Sequence, residues 1–185
     1  MKTTCLIVFL AGATIVAAGA WPVSQGDVRV KCPMTVGGSF DAKTTALRGS
    51  VTASANHSPA FEGSLAVDLR TLDTGISLRN EHLRGKYLEV DKGPGYDQAV
   101  LSEIDLKGLN PDAPDGKGTF TGSLMLHGVK KTVTGPVEVR KAGASVQVKA
   151  SFPVTLSDYN ISEPSYLGVG VKSTVQVEVA FTVTQ

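Results

Sequence analysis

Residues 174–184 read Thr-Val-Gln-Val-Glu-Val-Ala-Phe-Thr-Val-Thr. Val175, Val177, Val179, Phe181 and Val183 share one side of an extended chain. Thr174, Gln176, Glu178, Ala180, Thr182 and Thr184 share the other. Side chains on a strand alternate faces, so this run predicts a strand with one buried face. The pattern recurs upstream. Val146, Val148, Ala150, Phe152, Val154 and Leu156 alternate with Ser145, Gln147, Lys149, Ser151 and Thr155. Phe61, Gly63, Leu65, Val67 and Leu69 alternate with Glu62, Ser64, Asp68 and Arg70. Val100, Ile104 and Leu106 oppose Glu103, Asp105 and Lys107. Phe120, Leu124 and Leu126 oppose Thr119, Thr121 and Ser123. Leu47, Val51, Ala53 and Ala55 oppose Arg48, Ser50, Thr52 and Ser54. Weaker versions occupy residues 27–41 and 129–140, where Cys32 alternates with Val28, Val30, Met34 and Val36 as a buried small apolar residue.

Clusters of Gly, Pro, Asn and Asp separate these runs: 56–59, 91–97, 108–118 and 141–143. Only the segment 77–90 breaks the period. There Ser77 is placed to cap a short helix, and Leu83, Tyr87 and Val90 fall on one helical face. About eight antiparallel strands with short turns and one helical excursion predict an all-β fold. Several strands run near ten residues, longer than the usual five or six. Closing such a sheet removes its exposed edges, which favours an eight-stranded barrel over a sandwich. The inward face carries hydrocarbon together with small residues such as Gly49, Gly63 and Ala150. A barrel of this size is either filled by its own side chains or wide enough for a ligand. The alternation alone fits both.

The first twenty residues belong elsewhere. Lys2 is their only charge, Leu6–Ala18 is an apolar run, and Ala18-Gly19-Ala20 supplies small residues. This is the pattern of a secretory signal peptide over 1–20, cut before Trp21, leaving one domain over 21–185 in the periplasm or secreted. The run is shorter than the roughly 20 residues a membrane span needs. Cleavage removes Cys5, so Cys32 has no intramolecular disulfide partner. The full chain carries 18 Lys and Arg against 17 Asp and Glu. That balance excludes a strongly basic nucleic-acid binder.

Several stretches, in order, resemble the YceI-like family of secreted lipid-binding proteins. They are Gly38-Ser39-Phe40 with Leu47-Arg48-Gly49; Leu72-Asp73-Thr74-Gly75 with Leu78-Arg79-Asn80-Glu81-His82-Leu83; Gly122-Ser123-Leu124-Met125-Leu126-His127-Gly128-Val129-Lys130-Lys131; and Leu156-Ser157-Asp158-Tyr159-Asn160-Ile161. The resemblance implies a lipocalin-like barrel with a helical cap. It also implies a ligand with a long apolar chain: a polyprenyl, an isoprenoid quinone or a similar amphiphile. The sequence departs from the family at Tyr87-Leu88, where an aromatic pair is common, and in the strand starting at Asp27.

The residues expected to line such a tunnel are Phe40, Phe61, Leu65, Val67, Leu83, Tyr87, Ile104, Leu106, Phe120, Leu124, Val148, Phe152, Val177 and Phe181. Arg79, Asn80 and His82 sit where a head group would emerge. No metal, cofactor or catalytic set is expected. The three His (His57, His82, His127) lack metal-ligand spacing, and no G-x-S-x-G elbow or phosphate loop occurs. His127 is expected to bond nearby backbone and His57 to be solvated. A homodimer is allowed. Two other classes remain as alternatives: a small outer-membrane barrel with its apolar face turned to lipid, and a lipid-acting enzyme using His82 and His127.

Overall fold

A computed structural model describes residues 20–53, 61–109, 115–166 and 168–184. Residues 1–19 of the expected signal peptide and the turn holding His57 lie outside the described residues, as does most of the 110–116 loop. The strands are β1 (Ala20–Pro33), β2 (Ser39–Thr44), β3 (Leu47–Ala53), β4 (Phe61–Asp68), β5 (Gln98–Lys107), β6 (Gly116–Leu126), β7 (Val129–Ala142), β8 (Ser145–Thr155), β9 (Ser165–Tyr166), β10 (Val169–Gly170) and β11 (Thr174–Thr184).

Nine of them form one antiparallel sheet in the order β11-β8-β7-β6-β5-β4-β3-β1-β2, and β11 also pairs with β1. β2 and β3 are two halves of one stave. Val28 faces Thr44 in β2 and Ala20 faces Thr52 in β3, so the register against β1 is unchanged across the break at Thr45-Ala46. Counted that way, the sheet is a closed eight-stranded barrel, as the alternation and turns predicted. Val23–Lys31 of β1 run against Val183–Gln176 of β11, with one irregularity at Val23/Gln25. The break in the β2–β3 stave is pinned by Thr44, whose Oγ1 accepts the Ala46 amide at 3.0 Å. Opposite the break lies Gly26, where a Cβ would sit 2.6 Å from Leu47 Cβ. Only glycine lets the kinked stave close on β1 there.

Two strands differ from the sequence reading. The weak 27–41 run is two strands joined by a turn at 34–38. Val36 therefore leaves the strand and is 70% exposed rather than alternating inward. In β5 the register against β6 shifts between Ser102 and Asp105, and Glu103 takes the left-handed φ of 53°. This bulge inserts one residue and flips the face. Leu101 and Ala99, not Val100, point inward before it; Ile104 and Leu106 point inward after it. Lys130 Nζ and Ser123 Oγ hold Glu103 at the bulge, at 2.6 and 2.5 Å.

The excursion between β4 and β5 contains helix α1 (Ser77–Glu81), continued by a wider turn over His82–Tyr87. Ser77 is not the cap. Ile76 holds that position with no side-chain bond. The segment is fastened by longer-range contacts instead. Arg84 Nη2 donates to the Leu72 carbonyl at 2.7 Å. The His127 ring at the β6–β7 turn lies with Nδ1 2.9 Å from the Tyr159 carbonyl and Nε2 3.1 Å from the Glu89 carboxylate. Leu83 and Tyr87 pack partly buried on the core, and Val90 is buried, so the expected apolar face exists.

Gly26→Ala is expected to destabilise the fold by about 1–3 kcal/mol, since the methyl overlaps Leu47. Gly85→Ala, with no atom within 4 Å of the added carbon, should be neutral or gain up to about 1 kcal/mol by restricting the unfolded chain. Urea unfolding of both variants checks the contrast.

Candidate functional site

The inward faces of the staves do not fill the barrel. They surround a cavity of about 740 Å³, inside the roughly 300–1,000 Å³ range of ligand pockets. Of the residues expected to line a tunnel, Phe40, Leu65, Val67, Leu83, Tyr87, Ile104, Leu106, Phe120, Leu124, Val148, Phe152, Val177 and Phe181 all border this one space. Phe61 begins β4, and its side chain lies outside the described residues. The Phe120 and Phe152 rings meet edge to face, 5.5 Å between centroids, on one wall. Ala150 and Ala99 leave room that larger side chains would occupy.

The sequence reading missed several lining residues. Leu101 was hidden by the bulge. Trp21 stood beside the expected cleavage point, with no alternation to place it. Ile76 and Leu78 stood outside the Leu83, Tyr87 and Val90 face expected of the excursion. Cys32 also lines the cavity. Burial, the largest cause, pushes its thiol up to about 11, so the sulfur stays protonated and apolar in character.

Several connecting segments gather at one end of the barrel, because β4, β6 and β8 all run toward it and β1 ends there. Three of them frame the mouth: the β1–β2 turn, the 73–87 excursion and the 164–171 hairpin of β9 and β10. They are stitched together. The Thr35 amide donates to the Gly170 carbonyl at 2.8 Å, and the Gly170 amide donates back to Thr35 Oγ1 at 3.0 Å. The large apolar side chains most open to solvent among the described residues lie on this frame: Val36, Leu78 (61% exposed), Ile76 and Val169.

Arg79, Asn80 and His82 part company here. Arg79 and His82 border the mouth of the cavity; Asn80 does not. Its side chain is taken up in holding the rim. Asn80 Oδ1 accepts the Thr74 amide and hydroxyl, each at 2.8 Å, and Nδ2 donates to Asp73 Oδ1 at 2.6 Å. The Gly75 amide donates to the same Asp73 oxygen at 2.9 Å. Arg79 lays its guanidinium over the Phe40 ring, 4.2 Å from the centroid. The ring of His127 lies away from the cavity, in the Glu89–Tyr159 contact and edge-on to Tyr96 at 4.7 Å. Its bond to Tyr159 matches the expected backbone bond, but reaches 32 residues along the chain. Outside the barrel the staves carry charge, including Arg29, which lies 3.6 Å from Asp41 and 3.9 Å from Glu178. Hydrocarbon inside and charge outside is the reverse of a lipid-embedded barrel.

Comparison with known proteins adds the following. A family model described as a YceI-like domain matches residues 22–183. The chain superposes on BcnA from Burkholderia cenocepacia with a TM-score of 0.67 at 20% identity, covering 85% of this chain and 96% of that one. A polyisoprenoid binding domain from Saccharophagus degradans gives a TM-score of 0.67 at 17% identity, covering 89% and 98%. The Campylobacter jejuni YceI protein gives 0.53 at 13% identity, covering 100% and 99%. At these identities the likeness is one of fold. No curated protein matches the sequence.

The rim has a pH signature. Asn80 first, and then the Gly75 amide, bond the charged form of Asp73 and hold its carboxyl below the usual aspartate range. A lowered folded value stabilises the rim above the ordinary aspartate pKa of about 3.9, and that contribution is lost as pH falls through the lowered value. Hydrogen-exchange protection of the Thr74 and Gly75 amides should therefore drop in acid before the β8 and β11 amides respond. Asp73→Asn should abolish that pH dependence.

Proposed function

The chain belongs to the YceI-like domain family, and from that premise we propose that it is a periplasmic or secreted carrier or sequestering protein without enzymatic activity. It takes up one long apolar chain, of isoprenoid type or a similar amphiphile. The observation that carries this reading is the cavity: a single space walled by hydrocarbon from every stave, opening beside α1. A ligand that suits a hydrocarbon-walled space of this volume is a flexible apolar chain. Burying ten methylene-sized groups gives roughly 8 kcal/mol gross, at about 0.8 kcal/mol each. Ordering costs leave part of that as affinity.

Four further points support the reading. The Saccharophagus degradans neighbour of the same fold is a polyisoprenoid binding domain. The exposed Ile76, Leu78 and Val169 surround the entrance with apolar surface, which suits a tail that must leave a membrane or micelle. The N-terminal pattern of residues 1–20 fits export. His127, the partner a His82-based enzyme would need, is committed to Tyr159 and Glu89 at the cap.

Solvent extraction of the purified protein followed by mass spectrometry is expected to release a long-chain lipid. Release of none, together with failure to bind a neutral fluorescent apolar probe, would sink the reading. Ala150→Phe puts a ring into the lumen from the centre of β8. It should weaken probe binding about tenfold, the effect of roughly 1.4 kcal/mol, while the circular dichroism spectrum is retained.

A further inference from the structure

We infer that the amphiphile held by this barrel carries an anionic group, and that Arg79 and Lys86 receive it at the mouth. The inference rests on the carrier reading and deepens it: it fixes the charge class of the head, which that reading leaves open.

The fully charged side chains that border the cavity share one sign. Arg79 and Lys86 are the charged side chains that border it; no Asp or Glu does so among the described residues. Several cations elsewhere on the surface are paired with carboxylates: Arg29 with Asp41 and Glu178, Arg70 with Asp68 and Asp97, Lys130 with Glu103, Arg140 with Glu138. Neither Arg79 nor Lys86 has a carboxylate within ion-pair distance among the described residues, and neither side chain makes a hydrogen bond there. Two carboxylates on neighbouring segments are already engaged. Asp41 lies 3.6 Å from Arg29 and 4.0 Å from Lys43, and Asp73 is bonded by Asn80 and Gly75.

The two cations are also held ready. Arg79 Cζ lies over the Phe40 ring, 4.2 Å from its centroid. The N–H donors of the guanidinium, the fork that binds carboxylate and phosphate in a bidentate manner, are thereby left to a ligand. Lys86 Nζ lies 5.4 Å from the Tyr87 ring centroid. Both aromatic rings also border the cavity. Each therefore joins a cation at the rim to the apolar wall below, the arrangement that suits a ligand whose charge is joined to a hydrocarbon tail. A neutral head would leave two cations beside a dry space with no counter-charge. An anionic head would make charge-assisted hydrogen bonds there.

The test measures displacement of a neutral fluorescent probe from the full-length protein by dodecyl phosphate, dodecanol and inorganic phosphate. Wild type should bind dodecyl phosphate about tenfold more tightly than dodecanol, a factor that corresponds to about 1.4 kcal/mol. The preference should shrink in high salt. In Arg79→Gln/Lys86→Gln it should vanish, with dodecanol affinity unchanged within about twofold; Arg79→Lys/Lys86→Arg, which keeps both charges, should retain most of it. Unchanged dodecanol binding in the double variant also reports that the barrel is intact. Inorganic phosphate should leave the probe in place and compete with dodecyl phosphate only weakly. Equal wild-type affinity for phosphate and alcohol overturns the anionic head; a preference that survives in the double variant overturns Arg79 and Lys86 as its receivers; either leaves the carrier reading standing. Strong competition by inorganic phosphate would reduce the pair to a simple anion site and overturn it as well. Failure of both dodecyl compounds and the probe to bind overturns the carrier reading itself.

Discussion

The antiparallel pairing of β1 with β11 is the contact on which the rest of the molecule depends. It converts an open sheet into a ring, so that the backbone donors and acceptors of each stave find partners on both sides. A closed sheet has one inside and one outside. The apolar face of every strand must then point to the same lumen, because no second layer of helices or strands covers it. The lumen cannot shrink to suit its contents, since its diameter follows from the number of staves and their stagger. Where inward side chains are small, as at Ala99 and Ala150, empty space remains. The cavity is thus a consequence of closure combined with residue size.

Closure also dictates where the irregular chain goes. A stave cannot hold a helix or a kink without breaking pairing, so these features collect at the ends or at glycine. Gly26 permits the one break within a stave by letting Leu47 approach the backbone of β1. The bulge at Glu103 permits a change of face in mid-strand, and its unpaired residue is tied down by Lys130 and Ser123. At the mouth, the α1 excursion has only five helical residues and no side-chain cap. A helix that short does not persist alone. It is held by the Asp73–Asn80–Thr74 bonds, by Arg84 on the Leu72 carbonyl, and by the packing of Leu83 and Tyr87. The entrance is consequently built from polar bonds on a rigid apolar base, and its weakest fastening is a carboxylate that acid can neutralise.

The strand count, the turns and the apolar wall could be read from the sequence, because a period of two is a local property that needs no knowledge of neighbours. Eleven of the residues expected at the wall border the cavity for that reason, and Leu83 and Tyr87 join them from the helical face of the excursion. The misreadings share a cause. Val100 and Leu101 exchange faces because a bulge shifts register by a single residue, and the sequence around Glu103 carries no glycine to announce it. Val36 continues the alternation of β1 past the point where the chain turns. Asn80 reads like a head-group ligand, yet is used up within its own loop. Ser77 reads like a helix cap, yet the segment is fastened from outside.

Alternation and turn chemistry, which act between adjacent residues, were enough to determine an all-β chain with one apolar face and a single helical interruption. Whether that face enclosed a solid or an open lumen was left to the folded molecule. So were the gathering of Arg79, Lys86, Phe40 and Tyr87 at one mouth and the pinning of the cap by His127. Those outcomes depend on distances between residues far apart in the chain, set by the stagger of the closed ring, and no local pattern encodes them.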